Sequence, residues 1–185
     1  DGRLLWKRKA PAPVLRLSVL GGRGIAVAGN RSGGARLLAY SPETGKLLWA
    51  RPLPAQPEGS LEPAFDCAVV ACGETVVAAR VSDGTLRFET KLPFAPGLGL
   101  AATEEDDGRG ALLLVTGAGG ACARIGDRGS VAWSLPPEGS SPEAPARLAR
   151  RLALVAREVP VVLDAQEGLA LARIGERPVR CAALA

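Results

Sequence analysis

The sequence predicts an all-β fold made of a four-stranded antiparallel unit that is repeated along the chain. A turn glycine recurs four residues before a position that is usually aromatic, and short apolar runs separated by turn residues fill the intervals between copies. Units of about 40 residues that hold four short strands are typical of a β-propeller. The glycine and its partner position are Gly2 and Trp6, Gly45 and Trp49, Gly84 and Phe88, Gly129 and Trp133, and Gly168 and Ala172, with spacings of 43, 39, 45 and 39 residues between the partner positions.

Composition supports a packed array of such units. Hydrophobic residues make up 47% of the 185 residues, which is enough for a sizeable core. Aromatic residues make up only 4%, yet all three tryptophans, Trp6, Trp49 and Trp133, occupy the repeated position. We therefore expect the tryptophans to have a packing role.

The charge and hydropathy patterns argue against two classes of partner. The net charge is +4 and the basic residues are spread along the sequence, whereas a nucleic-acid-binding face requires basic residues clustered on one element. No run approaches the ~18 apolar residues of a membrane-spanning helix. We expect neither nucleic-acid binding nor direct membrane insertion of this segment.

The repeat register divides the chain into four complete units and two partial ones. In the first complete unit, VLRLSVL, IAVAG, ARLLAY and KLLWARPL are short strands separated by the turns GGRG, NRSGG and SPETG. The chain begins inside a turn and contains no methionine, so we expect it to be an excerpt of a longer polypeptide whose compartment the sequence leaves open. The predicted segments are 1–9 as the last strand of a preceding unit, 10–54, 55–94, 95–137 and 138–176 as complete units, and 177–185 as the first strand of a following unit.

Turn and loop residues separate the predicted strands of the later units. An Asp-Gly turn at Gly84 lies between two alternating apolar runs, which is a strong hairpin signal. The segments Ala55–Pro63 and Glu138–Pro145 are predicted to be loops because they are rich in Pro, Gly and Ser. The sequence GAGGA, Gly117–Ala121, is predicted to be a turn between strands, since no Lys-Ser/Thr pair follows it as in a phosphate-binding loop.

One segment is compatible with two kinds of secondary structure. Residues Ala146–Glu158, ARLARRLALVARE, favour an amphipathic helix by propensity. The repeat register instead requires two strands there, and an extended chain would have apolar side chains on both faces, as suits a sheet buried between neighbours. We favour two strands and keep the helix as the alternative.

The four cysteines, Cys67, Cys72, Cys122 and Cys181, show no metal-site spacing, and the chain has no histidine. Cys67 and Cys72 lie five residues apart in an apolar run, so an unbroken strand would place them on opposite faces about 16 Å apart. That separation excludes a disulfide between these two residues. Pairing between cysteines of different units stays open as the alternative, and we expect buried free thiols.

Residues 39–49, AYSPETGKLLW, resemble the tryptophan-docking repeat of pyrroloquinoline-quinone-type β-propellers. That repeat consists of Ala, Asp two residues on, Thr-Gly, and Trp four residues after the Gly. Ala39, Thr44, Gly45 and Trp49 match it, and Ser41 stands where Asp is usual. The other units keep part of the pattern, with matches at Ala78 and Gly84, at Ala123, Gly129 and Trp133, and at Asp164 and Gly168, and departures at Arg80, Asp83, Phe88, Ile125, Arg128, Val162, Glu167 and Ala172.

The resemblance implies a ring of four-stranded blades, usually seven or eight, in which the tryptophan packs between neighbouring blades. A closed four-bladed ring is the lesser alternative. WD40 and kelch repeats fit less well, because their Gly-His, Trp-Asp and paired-glycine signatures are absent. The residues predicted to dock the blades are Trp6, Gly45, Trp49, Gly84, Phe88, Gly129, Trp133 and Gly168.

The resemblance also bears on catalysis. Quinone-dependent dehydrogenases of this family hold the quinone with adjacent cysteines, bind calcium through Glu, Asn and Asp, and use an Asp as base. Here no two cysteines are adjacent, and Asn30 is the only asparagine. The acidic turn Glu104–Asp107 is predicted to be a solvated hairpin tip rather than a calcium site, because its carboxylates lack alternating spacing. We expect no catalytic, cofactor-binding or metal-binding residues in the chain.

The noncatalytic members of this family, of the outer-membrane assembly type, imply a scaffold that binds another protein. We expect this function, in the bacterial cell envelope and in the periplasm rather than the cytoplasm. Ala55–Pro63 and Glu138–Pro145 are the expected binding loops. The alternatives are a fragment of a quinone-dependent dehydrogenase and the sensor domain of a larger signalling protein.

Overall fold

The protein is described by a computed structural model whose strands form four-stranded antiparallel sheets. The structure describes residues 4–29, 34–96, 99–104, 111–137, 147–149, 152–155, 161–164, 167–168 and 170–173. Sixteen strands lie within these residues, and each sheet contains four consecutive strands. The predicted all-β, propeller-type fold is confirmed.

Each sheet is a meander in which every strand pairs with the next strand of the chain. The first sheet contains β1 Val14–Leu20, β2 Arg23–Gly29, β3 Ala35–Tyr40 and β4 Leu47–Leu53. The second contains β5 Pro57–Ala64, β6 Cys67–Cys72, β7 Thr75–Arg80 and β8 Leu86–Lys91. The third contains β9 Gly99–Glu104, β10 Ala111–Thr116, β11 Cys122–Ile125 and β12 Val131–Leu135, and the fourth contains β13 Arg147–Ala149, β14 Leu152–Val155, β15 Val161–Asp164 and β16 Ala170–Arg173.

The sheets follow one another in chain order, because their first strands are neighbours: β1 lies against β5, β5 against β9, and β9 against β13. Among the described residues, two large apolar clusters lie between sheets. One joins the first sheet to the second and includes Ile25, Leu37 and Val70, and the other joins the second to the third and includes Val69 and Leu113. The middle strands of the second sheet are therefore buried on both faces.

Strand β6 illustrates how a short apolar run serves two interfaces. Its six residues, CAVVAC, are all buried. Cys72 belongs to the cluster facing the first sheet and Cys67 to the cluster facing the third, so the two thiols lie on opposite faces as predicted. Cys122 is also buried, and Cys181 lies outside the described residues.

The structure corrects the prediction of a loop at Ala55–Pro63. Pro57–Ala64 form strand β5, the first strand of the second sheet. The prolines are tolerated because β5 is an edge strand of its own sheet. The register shifts between Glu58 and Leu61, and Gly59 has φ 77°, so a bulge accommodates the glycine and serine that resembled a loop.

The described residues of the segment with two possible secondary structures are extended. Arg147–Ala149 and Leu152–Val155 are strands β13 and β14, and they pair antiparallel with each other. The helix alternative is wrong because backbone pairing within the fourth sheet overrides the helix propensity of Ala, Leu and Arg. The proposed loop Glu138–Pro145 and the last segment, 177–185, lie outside the described residues.

Every sheet has the same irregularity in its fourth strand. In the first sheet Ala39 pairs with Trp49 and Tyr40 with Leu47, so Leu48 is an extra, bulged residue. The residues at the same position in the other sheets are Arg87, Ala132 and Leu171. A bulge increases the local twist of an edge strand and disrupts its ladder, so the outer edge of each sheet is a poor template for further pairing.

Candidate functional site

The turn before β4 presents a glycine to an aromatic ring. Gly45 has φ 64°, and its N–H donates to the carbonyl oxygen of Ser41 at 2.8 Å. A Cβ added to Gly45 would lie 2.6 Å from Cδ2 of Trp6, so the indole lies directly on the glycine. The Trp6 Nε1–H donates to the carbonyl oxygen of Pro42 at 2.6 Å. Only glycine satisfies both the backbone conformation and the close contact.

The same contact recurs between the first and second sheets. Gly84 has φ 73°, and a Cβ added there would lie 2.6 Å from Cδ2 of Trp49. The Trp49 Nε1–H donates to the carbonyl oxygen of Val81 at 3.0 Å. Trp49 is half-buried and packs against the apolar cluster between the two sheets. The ring therefore contacts both the core and the turn of the next sheet.

Two further contacts complete the series. Phe88 lies on Gly129, with 2.6 Å between the Phe88 Cβ and an added glycine Cβ. Trp133 lies on Gly168, with 2.7 Å from its Cδ2. The eight residues predicted to dock the units are thus brought together as four pairs, each made by the aromatic of one unit and the turn glycine of the next. We call these four pairs the docking contacts.

Leu4–Lys9, within the segment predicted to be the last strand of a preceding unit, are not assigned to a strand. Trp6 nevertheless makes the docking contact that Trp49, Phe88 and Trp133 make from the fourth strands of their sheets. The side chain of Ala172, the fifth repeated position, is not described.

A polar side chain two residues after the aromatic reinforces three of the docking contacts. Arg8 Nη1 donates to the carbonyl oxygen of Gly45 at 2.8 Å, and Arg51 Nε donates to that of Gly84 at 2.8 Å. Thr90 Oγ1 donates to the carbonyl oxygen of Gly129 at 2.7 Å. Sequence reasoning missed these donors, although the repeated Trp-X-Arg of WKR and WAR was a usable signal.

The contact between the second and third sheets has an additional ionic link. Arg87 Nη2 lies 3.3 Å from Asp127 Oδ2, and Arg87 Nε donates to the Asp127 carbonyl oxygen at 2.8 Å. Its Nη1 donates to the carbonyl oxygen of Phe65 at 2.8 Å, and the guanidinium lies 5.7 Å from the centre of the Phe65 ring. Arg87 is the bulged residue of β8, and a bulge changes the direction of the side chain that it carries.

The third unit departs from the alignment that the sequence suggested. Five residues separate the paired Ile125 and Val131, whereas six separate the paired Tyr40 and Leu47. Because the third turn is one residue shorter, Arg124 rather than Ala123 pairs with Trp133. The match of Ala123 to the repeat is therefore a match of spacing and not of structural position.

Polar side chains close the turns that carry the docking glycines. The Asp83 Oδ1 accepts the backbone N–H of Thr85 at 2.8 Å and its hydroxyl at 2.7 Å. These bonds, the hydroxyl first, hold the pKa of the Asp83 carboxyl below its usual value. In the first turn Ser41 stands where Asp is usual, and its Oγ accepts the Thr44 N–H at 3.2 Å. The hydroxyl thus replaces a carboxylate as the acceptor in this turn.

The structure describes the predicted turn at Gly117–Ala121 and only part of the predicted acidic hairpin. Gly117–Ala121 contain the short 3₁₀ turn Ala118–Gly120 between β10 and β11, as predicted. Residues 105–107 of the acidic hairpin lie outside the described part of the chain. In the described residues, no cluster of three or more Asp, Glu, Cys or His has an arrangement that could hold a metal ion.

The Cys67 thiol is buried, and burial raises its pKa, although Arg87 and Arg80 oppose the shift. A thiol with a raised pKa is protonated at neutral pH and is a poor nucleophile. Among the described residues, no helix has the length and apolar character needed to cross a membrane.

A family model described as outer membrane protein assembly factor BamB matches residues 1–104, more than half of the chain. The predicted resemblance to pyrroloquinoline-quinone-type propellers is confirmed by this match and by the structural neighbours below. No curated protein matches the sequence.

Solved structures of other proteins resemble the fold. BamB from Moraxella catarrhalis superposes with a TM-score of 0.64 at 15% identity, over 85% of this chain and 47% of that chain. AztD from Citrobacter koseri gives a TM-score of 0.62 at 16% identity, over 94% of this chain and 50% of that chain. The dihydro-heme d1 dehydrogenase NirN in complex with DHE gives 0.65 at 12% identity, over 89% and 38%. The chain thus spans half or less of the length of these structures, and the likeness concerns the fold alone.

Proposed function

Because this chain belongs to the family described as outer membrane protein assembly factor BamB, we propose that it is a noncatalytic scaffold that binds another protein in the bacterial cell envelope. The fold supports this proposal without deciding it, since the structural neighbours include a dehydrogenase. The side chains that stand out most in the sequence are used to join the units. The binding surface must therefore be sought elsewhere on the described molecule.

The observation that carries the proposal is a row of exposed apolar side chains on the outer strands. Leu47, Leu86 and Val131 lie two residues before the docking aromatics of three successive units, and they are 41%, 42% and 38% exposed. A single exposed apolar residue requires no explanation, but here the same repeat position is apolar and exposed in three successive units, and we call these three residues the apolar row. A protein surface with matching apolar side chains is the partner that such a row accommodates.

The row replaces the predicted loop Ala55–Pro63 as the first candidate surface, because most of that segment is strand β5. The other predicted loop, Glu138–Pro145, lies outside the described residues and stays a prediction. The periplasm remains the proposed compartment, in keeping with the outer-membrane assembly role for which the family is named.

Site-specific photo-crosslinking in a bacterium tests the proposal. A photoreactive amino acid at Leu86, followed by cell fractionation, should give a discrete adduct with one envelope protein in the periplasmic fraction. Glu74 is exposed and lies in the turn between β6 and β7, so the same amino acid there is the matched control and should give no such adduct. If this protein is found in the cytoplasmic fraction and forms no adduct through Leu86, both the scaffold function and the periplasmic compartment are contradicted.

A separate measurement addresses the enzymatic alternative. Pyrroloquinoline quinone and calcium are added to the full-length protein, and quinone absorbance and dye-linked alcohol oxidation are followed. We expect neither a bound-quinone spectrum nor turnover. Sustained turnover that depends on both additions would overturn the noncatalytic assignment even if an adduct is found at Leu86.

A further inference from the structure

The turn between β5 and β6 has a backbone conformation that its residues disfavour. Strand β5 ends at Ala64 and β6 begins at Cys67, so Phe65 and Asp66 form a two-residue connection, which we call the strained turn. Their φ angles are 55° and 58°, and among the described residues no others apart from glycines have a positive φ. Positive φ at both positions is typical of a type I′ hairpin turn, which favours Asn and Gly. A bulky residue such as Phe65 adopts it only where its surroundings hold it.

The corresponding turn of the first sheet has no such strain. Gly21 and Gly22 connect β1 to β2, with φ angles of 50° and 70°. Glycine adopts these angles without steric cost, because it has no Cβ. The same connection is thus made of two glycines in the first sheet and of Phe and Asp in the second. Strain of this kind is concentrated at elements that bind or move, so the second sheet's turn is a candidate for such an element.

The strained turn is held closed by the neighbouring hairpin of β7 and β8. The Val81 N–H donates to the Asp66 carbonyl oxygen at 3.0 Å, and Arg87 Nη1 donates to the Phe65 carbonyl oxygen at 2.8 Å. The Phe65 ring meets the Phe88 ring edge to face, with 6.2 Å between the ring centres. These contacts offset the unfavourable backbone conformation. The turn therefore keeps its shape only as long as this hairpin supports it.

Arg87 connects the strained turn to the third unit. Besides the Phe65 carbonyl oxygen, it binds the Asp127 carboxylate at 3.3 Å and the Asp127 carbonyl oxygen at 2.8 Å. Asp127 lies in the turn that carries the docking glycine Gly129. The Arg87 side chain is 25% exposed and that of Asp127 is 59% exposed, so salt screens the ion pair. The position of one guanidinium thus depends on the third unit and supports a strained turn in the second.

We propose that Arg87 is a latch, a side chain that holds the strained turn closed as long as it is paired with Asp127. When the pair is broken, the strained turn leaves its positive φ angles and opens locally, while the four strands of the second sheet stay paired. The result is a conformational device with two states, and a change at the turn of the third unit shifts the balance between them. This proposal does not depend on the envelope partner proposed above.

Cys67 reports the opening, because it directly follows the strained turn and is 1% exposed. Its alkylation by iodoacetamide, followed by peptide mass spectrometry on the full chain, requires the thiol to reach solvent. Cys72 lies at the other end of β6 and is 2% exposed. Its alkylation is the internal control, since a local opening of the strained turn exposes Cys67 and leaves Cys72 buried.

Asp127→Asn is the variant that tests the latch. At low ionic strength it should raise the alkylation rate of Cys67 about threefold, the size expected from the loss of a partly exposed ion pair. The rate at Cys72 should stay unchanged. The substitution leaves Arg87 and Phe65 in the chain, so a faster reaction at Cys67 requires the turn to open. High salt should bring the parent's rate toward that of the variant, because it screens the pair.

Glu74→Gln is the matched control, because it breaks the exposed ion pair with Lys91 at the opposite end of β6. The Cys67 rate in this variant should equal that of the parent chain. An unchanged Cys67 rate in Asp127→Asn would overturn the proposal. A parallel rise at Cys72 would overturn it equally, because it would show unfolding of the whole sheet rather than a local opening.

A second pair of variants tests the strain itself. In the Asp127→Asn background, Asp66→Gly should return the Cys67 rate toward that of the parent, because glycine adopts the turn conformation without strain. Asp66→Asn removes the same charge but keeps a side chain, so it should restore the rate less. The Val81 amide, which donates to the Asp66 carbonyl oxygen, should exchange with solvent faster in Asp127→Asn than in the parent. Equal effects of Gly and Asn, or unchanged exchange at Val81, would overturn the proposal.

Discussion

An aromatic side chain that lies on a turn glycine joins the first sheet to the second, and a similar contact joins the second sheet to the third. The two contacts differ in the side chains that form them. In the first, an indole lies on Gly84 and bonds to the Val81 carbonyl oxygen, while Arg51 bonds to the Gly84 carbonyl oxygen. In the second, a phenyl ring without an N–H lies on Gly129. At Gly129 the donor in the position of Arg51 is Thr90, and the pairing of Arg87 with Asp127 adds a polar link to this contact.

The repeat fixes a geometry and not a residue type. A positive-φ glycine and a flat ring are common to both contacts, and the hydrogen-bond donors vary around them. Sequence decay of the motif along the chain therefore does not imply loss of the contact. The aromatic and the glycine should carry most of the stability, and the polar groups should adjust it.

Removing an aromatic ring is the largest expected perturbation. Trp49→Ala should lower the free energy of unfolding by roughly 3–5 kcal/mol, because the ring leaves a cavity at the border of two sheets. Phe88→Ala should fall in the same range, since Phe88 is 6% exposed. Urea unfolding followed by far-ultraviolet circular dichroism measures both changes.

Leu47→Ala is the matched control for the Trp49 variant, because Leu47 lies on the same strand and is 41% exposed. It should change the stability by no more than about 0.5 kcal/mol. A similarly small cost for Trp49→Ala would place the ring at the surface, and the docking role of the repeat would have to be abandoned.

The second prediction concerns the glycine on which the ring lies. Gly84→Ala should destabilise by roughly 2–4 kcal/mol, because the new Cβ would meet the Trp49 ring and the backbone would keep a positive φ. Gly22 has φ 70° and no atom within 4 Å of an added Cβ, so Gly22→Ala isolates the backbone cost of about 1–2 kcal/mol.

A double-mutant cycle with Trp49→Ala sharpens this prediction. Removing the ring also removes the clash, so the combined variant should lose less stability than the two single variants together, by roughly 0.5–3 kcal/mol. Additive costs would mean that the glycine and the tryptophan do not act through their contact.

The sequence was sufficient for the architecture because the relevant signals are local. The glycine, the turn residues around it and the aromatic four residues later lie within one hairpin, so they can be read without knowing the fold. Which glycine each aromatic residue contacts could not be predicted in this way. Each aromatic contacts the glycine of the next unit, 39, 35, 41 and 35 residues further on, and only the stacking of sheets reveals that contact.

Strand β5 is a segment whose secondary structure could not be predicted from its own sequence. Its residues, PEGSLEPA, have the composition of a loop, and the bulge at Gly59 makes them fit a sheet. Arg16 of the first sheet donates to the Gly59 carbonyl oxygen at 2.8 Å, so neighbouring strands support a segment with little strand propensity of its own. Tertiary context decides such a segment, as it decides the shorter turn of the third unit.

The ionic link is the feature that distinguishes the second contact, and breaking it should have a modest effect. Asp127→Asn should cost about 0.5–1 kcal/mol, because the Arg87 side chain is 25% exposed while that of Asp127 is 59% exposed. Glu74→Gln, which breaks the more exposed pair with Lys91, should cost less. The difference in unfolding midpoint between these variants should shrink at high salt. Equal costs would mean that the Arg87 pair adds nothing to the docking of the second and third sheets.

The smallest expected effect is a dependence on pH in the turn of the first contact. The folded-state pKa of Asp83 is lowered by the Thr85 hydroxyl and then by the Thr85 N–H. A depressed pKa means that the stabilisation is fully present above the unfolded-state value of about 3.9 and is lost as the pH falls through the folded-state value. Asp83→Asn should therefore flatten the acid limb of the melting temperature, with Thr85→Val giving the same flattening if the hydroxyl is the cause. An unchanged acid limb in both variants would show that the turn presenting Gly84 holds its shape without the carboxylate.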